Sequence, residues 1–174
     1  MTQENSIAWS DGGPPLEIVP FDAVHAQAFR DLNLDWIEKH FAVEALDRRH
    51  LHCPRESFID TGGAILMAQI AGNTVGCCGL LKHDEDVYEV SKMAVAPPYQ
   101  GKGIGRVLLG EVISHARSIG ARRLEIISST RLDTALHLYR SIGFVEVPLA
   151  SDAYARGNIA LVLELNEAKR AGKP

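Results

Sequence analysis

Residues 89–128 change their apolar rhythm twice, and this constrains the fold more than any other stretch of the chain. A strand-like run through Val95 stops at Pro97 and Pro98. Gly101, Gly103 and Gly105 follow, with Lys102 and Arg106 among them. Ile104, Leu108, Val112, Ala116 and Ile119 then recur at helical spacing, and Gly120 stands where such a helix would end. Residues 122–128, "RRLEIIS", return to strand character. Strand, helix and strand in succession predict two parallel neighbours joined by a right-handed crossover.

The residues before this unit predict an antiparallel neighbourhood for it. "GGAILMAQIAGNTVGCCGLLKHDEDVYEVSKMAV" reads as a meander of three strands, turned at "AGNT" and "HDED". Cys77 and Cys78 are adjacent in one of these strands, so their side chains should face opposite ways. Upstream, "LEIVP" reads as a strand. Phe21, Val24, Ala28, Leu32, Trp36 and Ile37 mark a helix over 21–40 that Asp22 can cap. A second helical piece over 43–52 stops before Pro54. Downstream, Leu132, Ala135, Leu136, Tyr139 and Ile142 mark a helix ended by Gly143, and "FVEVPL" and "IALVLEL" are two last strands. No repeat or linker interrupts the series. We read residues 15–166 as one α+β domain, 1–14 as a flexible lead-in and 167–174 as a tail.

Bulk properties exclude several function classes. A chain of 174 residues with net charge -4 lacks the basic face of a general nucleic-acid binder. No apolar run reaches the ~18–20 residues of a membrane span, and the N-terminus lacks the regions of a signal peptide. Three cysteines suggest no disulfide framework, so a reducing cytoplasm is the expected setting. "HLHC", residues 50–53, puts its histidines two apart on a helix with no second ligand cluster, so no metal is expected. The acidic run Asp84-Glu85-Asp86 fits a turn and lacks calcium-loop spacing.

The glycine loop is the chemically informative part. Glycine admits positive φ and lets a ligand approach backbone closely. A helix N-terminus behind it offers unpaired N–H groups and the positive end of a dipole. Residues 100–106 therefore suit a pyrophosphate, with Lys102 and Arg106 adding charge. A plain glycine-capped turn is the alternative. A Walker A string is absent. The dinucleotide fingerprint fails because Arg106 stands where its third glycine belongs and two prolines separate the loop from the strand.

"QGKGIG", Gln100, Gly101, Lys102, Gly103, Ile104 and Gly105, resembles the Q/R-x-x-G-x-G/A signature of the GCN5-related N-acetyltransferase (GNAT) family. "ALHLYRSIGF", residues 135–144, resembles that family's second signature, A-x-x-L-Y-x-x-x-G-F. The resemblance covers about 63–147. It implies a mixed, mostly antiparallel twisted sheet of about seven strands flanked by four helices, with a β-α-β core that binds acetyl-CoA. It implies acetyl transfer from acetyl-CoA to a primary amine by direct attack in a ternary complex. In the family a bulge splays the fourth strand from the fifth, and pantetheine pairs with the exposed backbone. Here Met93, Ala94 and Val95 would supply those groups, and an N–H there could bond the thioester oxygen as it gains charge.

The acceptor must attack as a neutral amine. For a lysine-like amine, deprotonation at pH 7 costs about 4.6 kcal/mol. Glu89, six residues before Val95, matches the position where family members carry a catalytic glutamate, and on an unbroken strand it shares a face with Ser91 and Met93. Tyr139 matches the tyrosine that protonates or hydrogen-bonds the leaving sulfur. The chain departs from the family at Leu132, where relatives carry an asparagine; Ser129 or Thr130 would take its place toward the cofactor.

The acceptor pocket, by resemblance, lies between the first helices and the loop joining the last strands. Trp36 is a candidate wall, though a core position suits it as well. Tyr154, Arg156 and Asn158 alternate, so an extended segment would aim them together, with Arg156 set to pair with an acceptor carboxylate. The absence of a strongly charged tail favours a small-molecule acceptor. A protein lysine or N-terminal acetyltransferase and a non-catalytic acyl-CoA sensor are the alternatives. The expected partners are acetyl-CoA and an amine, with neither nucleic acid nor membrane, and a homodimer is left open.

Overall fold

The computed structural model describes residues 6–7, 13–150, 152 and 154–165. The strands are β1 (Ser6–Ile7), β2 (Leu16–Pro20), β3 (Ala64–Ile70), β4 (Asn73–Lys82), β5 (Val87–Val95), β6 (Arg123–Ser128), β7 (Val145–Val147) and β8 (Ile159–Glu164). The helices are α1 (Ala26–His40), α2 (Ala45–His52), α3 (Ile104–Ser118) and α4 (Asp133–Ile142). The strands form one sheet in the order β1-β2-β3-β4-β5-β6-β8-β7. Among the described residues only the β5–β6 pair is parallel, and α3 makes the crossover between these strands. The two-residue β1 falls within the stretch read as a lead-in, where it pairs with β2. The rest of 1–12 and all of 166–174 lie outside the described residues.

Each turn has its local cause. Ala71 and Gly72 both take positive φ, 49° and 76°, as a tight two-residue hairpin between β3 and β4 requires. Gly120 and Gly143, at φ 86° and 116°, end α3 and α4 in the left-handed conformation. Asp22 caps a short 3₁₀ turn (Ala23–His25) that leads into α1. A π-helical turn at Arg55–Ile59 continues beyond Pro54, where the sequence suggested only a stop.

The sheet has a core on each face. One joins Leu108, Leu109 and Val112 of α3 and Leu136 of α4 to Cys78 of β4. On the other face Phe29, Ile37, Leu51, Phe58 and Cys77 form a second cluster with α1 and α2. Cys77 and Cys78 thus face opposite ways, as alternation demands. Of the stripe read over 21–40, Ile37 is buried and Phe21, Leu32 and Trp36 pack half-buried against the core, but the most buried ridge adds Phe29 and Asn33, and Val24 is 81% exposed. Val24 belongs to the 3₁₀ turn, which follows a different period. Asn33 disguises the true ridge. It is a buried polar residue, bonded through Nδ2 to the Phe29 carbonyl and to Cys77 Sγ.

Candidate active site

The sheet opens in its middle. β5 and β6 pair at Val87–Arg123, Tyr88–Leu124 and Glu89–Glu125, and then part. The cause is a bulge in β5: Cys77 faces Ala94 and Gly79 faces Ser91, so Lys92 and Met93 share the single partner Cys78. This alters the phase assumed for an unbroken strand. Lys92 has φ 52°, a conformation that costs a non-glycine residue about 1–3 kcal/mol. Its side chain is anchored in return. Lys92 Nζ lies 3.0 Å from Asp47 Oδ1 and donates to the Tyr154 hydroxyl at 2.8 Å. Beyond Glu89 the two strands border a cleft of about 940 Å³, with Met93, Ala94, Val95, Ile126 and Ser128 along its walls.

One end of the cleft is made of backbone. Gly101 and Gly103 take φ 73° and 84°, and a Cβ on either would meet nothing within 4 Å. The first intrahelical bond runs from the Val107 N–H to the Gly103 carbonyl, which leaves the earlier amides of α3 without helical partners. No side chain among the described residues caps Gly103. Open space, unpaired donors and a helix dipole coincide here, so the residues present fit an anionic carrier with two phosphoryl groups. Gln100, Ile104, Gly105 and Arg106 also line the cleft. The Gln100 amide donates to the Val95 carbonyl at 2.8 Å, tying the loop to β5. Arg106 donates to Ser141 Oγ at 2.6 Å, which holds it beside α4. Lys102 does not line the cleft; its ammonium sits 5.7 Å from the Tyr99 ring centroid. Ser129 is buried at the cleft wall, whereas Thr130 turns toward Asn158 instead.

Glu89 and Tyr139 both reach this cleft. Glu89 is buried, and its Oε2 lies 2.7 Å from His83 Nε2. Tyr139 is buried against Phe144, with ring centroids 6.1 Å apart. Burial pushes its phenol well above the usual value near 10, with Cys78 a smaller contributor in the same direction. The hydroxyl therefore keeps its proton throughout the physiological range.

The far end is made of side chains from distant segments. Trp36 does line the cleft, and its indole N–H donates to Asn33 Oδ1 at 3.2 Å. Tyr154 is buried there, its hydroxyl 3.4 Å from His50 Nδ1. Arg156 is placed there too, but its guanidinium is already engaged. It meets Asp47 through two bonds of 2.7 Å and Glu44 at 3.2 Å. With its fork spent inside the protein, Arg156 is not set to grip an acceptor carboxylate. Asn158 leaves the group altogether: its Nδ2 donates to Thr130 Oγ1 at 3.0 Å, and its Oδ1 accepts from the Thr130 N–H at 2.8 Å. The segment is a turn here rather than a continuous strand, so spacing of two does not align the side chains.

Sequence reasoning missed the hub of this arrangement, Asp47. It is fully buried between Lys92 and Arg156. Burial works to raise its pKa, but the Arg156 bonds, the Lys92 charge and the backbone bond from Glu44 outweigh it and bring it down to about 2. Burial pulls Lys92 below the ordinary lysine range, with Asp47 opposing. His50 is held down at about 4, chiefly by burial and then by the Lys92 charge. It packs edge-on against Phe58 rather than joining a metal site, and no His/Cys/Asp/Glu cluster among the described residues could hold a metal. A buried charge is recognisable in sequence only by its partners, and Asp47 and Arg156 are 109 residues apart. Arg131 was missed as well: it lines the cleft, with its guanidinium 5.1 Å from the Phe41 ring centroid.

The chain resembles known acetyltransferases in sequence and in shape. It is 42% identical over 90 residues to the N-alpha-acetyltransferase RimI of Mycobacterium tuberculosis, covering 50% of this chain and 55% of that protein. It is 30% identical over 92 residues to the mycothiol acetyltransferase of Propionibacterium freudenreichii, covering 51% of this chain and 30% of that protein. The match therefore spans from under a third to about half of the length of these relatives. A GNAT-family acetyltransferase from Staphylococcus aureus superposes with TM-score 0.79 at 19% identity, over 87% of this chain and 99% of that one. A putative acetyltransferase from Salmonella typhimurium, solved with its cofactor acetyl-CoA, superposes with TM-score 0.70 at 22% identity, over 88% and 96%. The model of the acetyltransferase (GNAT) family matches residues 26–144, more than half of the chain, and with both signatures and the parted sheet in place the chain belongs to that family.

Proposed function

We propose that this protein transfers an acetyl group from acetyl-CoA to a primary amine, by direct attack within a ternary complex. The observation that carries this reading is a coincidence in one cleft. The parted strands, the glycine loop at the start of α3, a buried carboxylate and a buried phenol all border it. An acyl-CoA sensor would use the first two and has no need of Glu89 and Tyr139.

Acetyl-CoA, when bound, supplies an activated thioester. Residues 100–106 would hold its pyrophosphate, and the unpaired edge of β5 at Met93, Ala94 and Val95 would pair with its pantetheine arm. A backbone N–H of that edge would steady the thioester oxygen as negative charge develops. Ser129 would take the position near the cofactor where relatives carry asparagine. Glu89 accepts the proton that the acceptor ammonium must lose before attack. Tyr139 donates a hydrogen bond to the leaving sulfur. Its raised pKa suits a donor that keeps its proton, because full transfer to a thiolate with a pKa near 8.5 would run uphill.

The small-molecule acceptor remains the first reading, with Trp36 and Tyr154 as the walls that meet it. The likeness to RimI supports a second, in which the acceptor is the N-terminal amine of a polypeptide. The deciding experiment measures CoA release with amino acids, polyamines, aminoglycosides and peptides bearing free N-termini. Peptides alone turning over would select the second reading. No CoA release with any amine, from protein that binds acetyl-CoA, would leave the sensor.

A further inference from the structure

Glu89 is a poor terminal store for a proton. It is buried at 5% exposure, and the cleft it lines would be filled by two substrates. A base so enclosed needs a path to water that does not lead back through the reactants. The structure contains one on its other side. Glu89 Oε2 lies 2.7 Å from Nε2 of His83, whose side chain is 40% exposed at the turn between β4 and β5. His83 does not line the cleft.

We propose that His83 is the proton exit of this active site: Glu89 passes the proton taken from the acceptor ammonium to His83 Nε2, and the imidazole releases it to solvent at the β4–β5 turn. The inference rests on Glu89 being the base. The step balances. An N–H bond of the ammonium breaks and an O–H bond forms on Glu89. That bond breaks in turn as Nε2–H forms on an imidazole carrying its other hydrogen on Nδ1. The imidazolium then loses the Nδ1 proton to water, and proton exchange with solvent at the exposed ring returns the hydrogen from Nε2 to Nδ1 before the next turnover. His83 touches no reacting atom and acts through Glu89, as a relay and a positioning residue.

The charged surroundings favour imidazole as the acceptor. The bond to Glu89 raises the His83 pKa above its ordinary 6.5; burial opposes, and Glu125 on β6 adds to the rise. On its other side Glu89 faces Lys92 on the bulge, His50 on α2 and Tyr154 of the β7–β8 loop, each of which feels its charge. The proton moves from the cleft, where the cations Lys92 and Arg156 are already paired with Asp47 and Glu44, toward an exposed turn bearing Asp84, Glu85 and Asp86. Because His83 is bonded to Glu89 at 2.7 Å, the pH profile of the rate should carry an inflection from the imidazole.

Two measurements test this. The first follows the His83 ring by NMR across pH, in wild type and in Glu89→Gln. The expected midpoint lies above 6.5 in wild type and falls in the variant. Identical midpoints would mean that the pair does not exist in solution and would overturn the proposal. The second records kcat/KM against pH for the fastest amine of the panel above. His83→Gln should lose up to about 10²-fold near neutrality, the low end of a general-base contribution, and lose the inflection in the imidazole range. His83→Ala should recover activity with free imidazole, whereas Glu89→Gln should not. An unchanged pH profile in His83→Gln, with Glu89→Gln inactive, would remove His83 and leave the base in place. Full activity in Glu89→Gln would remove the base itself.

Discussion

The two ends of the cleft are built on opposite principles. The end proposed to hold the cofactor is contiguous and made of backbone: the edge of β5, a glycine loop and the first turn of α3. The end proposed to meet the acceptor is discontinuous and made of side chains, with α2, the β5 bulge and the β7–β8 loop clasped around Asp47. A backbone site tolerates side-chain replacement and is damaged by added bulk or lost flexibility. A side-chain site fails when one partner is removed, because the others are left buried and charged. Such a division suits a fold that keeps one carrier while its second substrate changes.

That contrast can be broken at several points. Glu89 and Tyr139 stand where the two ends meet, and the largest effects on rate belong there. Glu89→Gln should lower kcat about 10²–10⁴-fold, and Tyr139→Phe about 10²–10³-fold, with thermal midpoints close to wild type. Retained turnover in either variant would separate that residue from the chemistry.

Asp47→Ala tests the clasp. Removing one member of a buried ion cluster costs about 3–5 kcal/mol, here by stranding Lys92 and Arg156. Urea unfolding should show that loss, while Lys92→Met in the same background should recover part of it. A loss below about 1 kcal/mol would show that the acceptor end is more solvated than its burial indicates.

Acid should open the same end first. His50 is held neutral in the fold at about 4, against 6.5 for an unperturbed histidine. Its contribution is complete above pH 6.5 and is lost as pH falls toward 4, a total of about 3 kcal/mol. Asp47, depressed to about 2, contributes fully above its ordinary value near 3.8 and is lost only as pH falls from there toward 2. Urea midpoints across pH should therefore decline in two stages, and His50→Gln should flatten the upper one. A single decline confined below pH 4 would exclude His50 from it.

The smallest effects belong to the cofactor loop. Gly103→Ala places a Cβ at φ 84° and should cost about 1–2 kcal/mol while raising KM for acetyl-CoA. Lys102→Ala removes a cation that does not line the cleft, so stability should stay within about 0.5 kcal/mol and KM should change less than in Gly103→Ala. A larger KM effect from Lys102 than from Gly103 would reverse the contrast on which these predictions rest.

Legibility followed the same division. Local signals announce a backbone site: the period change at Val95, the prolines, the glycines and the helical stripe lie within thirty or so residues, and the observed α3 and β6 coincide with them. The opposite faces of Cys77 and Cys78 needed only strand alternation. The clasp had no local signature. Glu44, Asp47, Lys92 and Arg156 look like ordinary surface charges until the fold brings them together, and so Arg156 seemed free to bind an acceptor. Asn158 was misplaced for a simpler reason, since an alternation argument assumes a strand where the chain makes a turn.

The strand order has a consequence for synthesis on the ribosome. β8 is wedged between β6 and β7, and among the described residues β7 pairs with no other strand. A nascent chain that has emerged only through β7 holds an edge of β6 open and a short strand with nowhere to dock. The turn bearing Tyr154 and Arg156, which completes the clasp on Asp47, arrives just ahead of the wedge. Until then Asp47 and Lys92 have each other but lack Arg156. Sheet closure and completion of the clasp on Asp47 are thus both late events, and a chain halted before residue 154 would lack both.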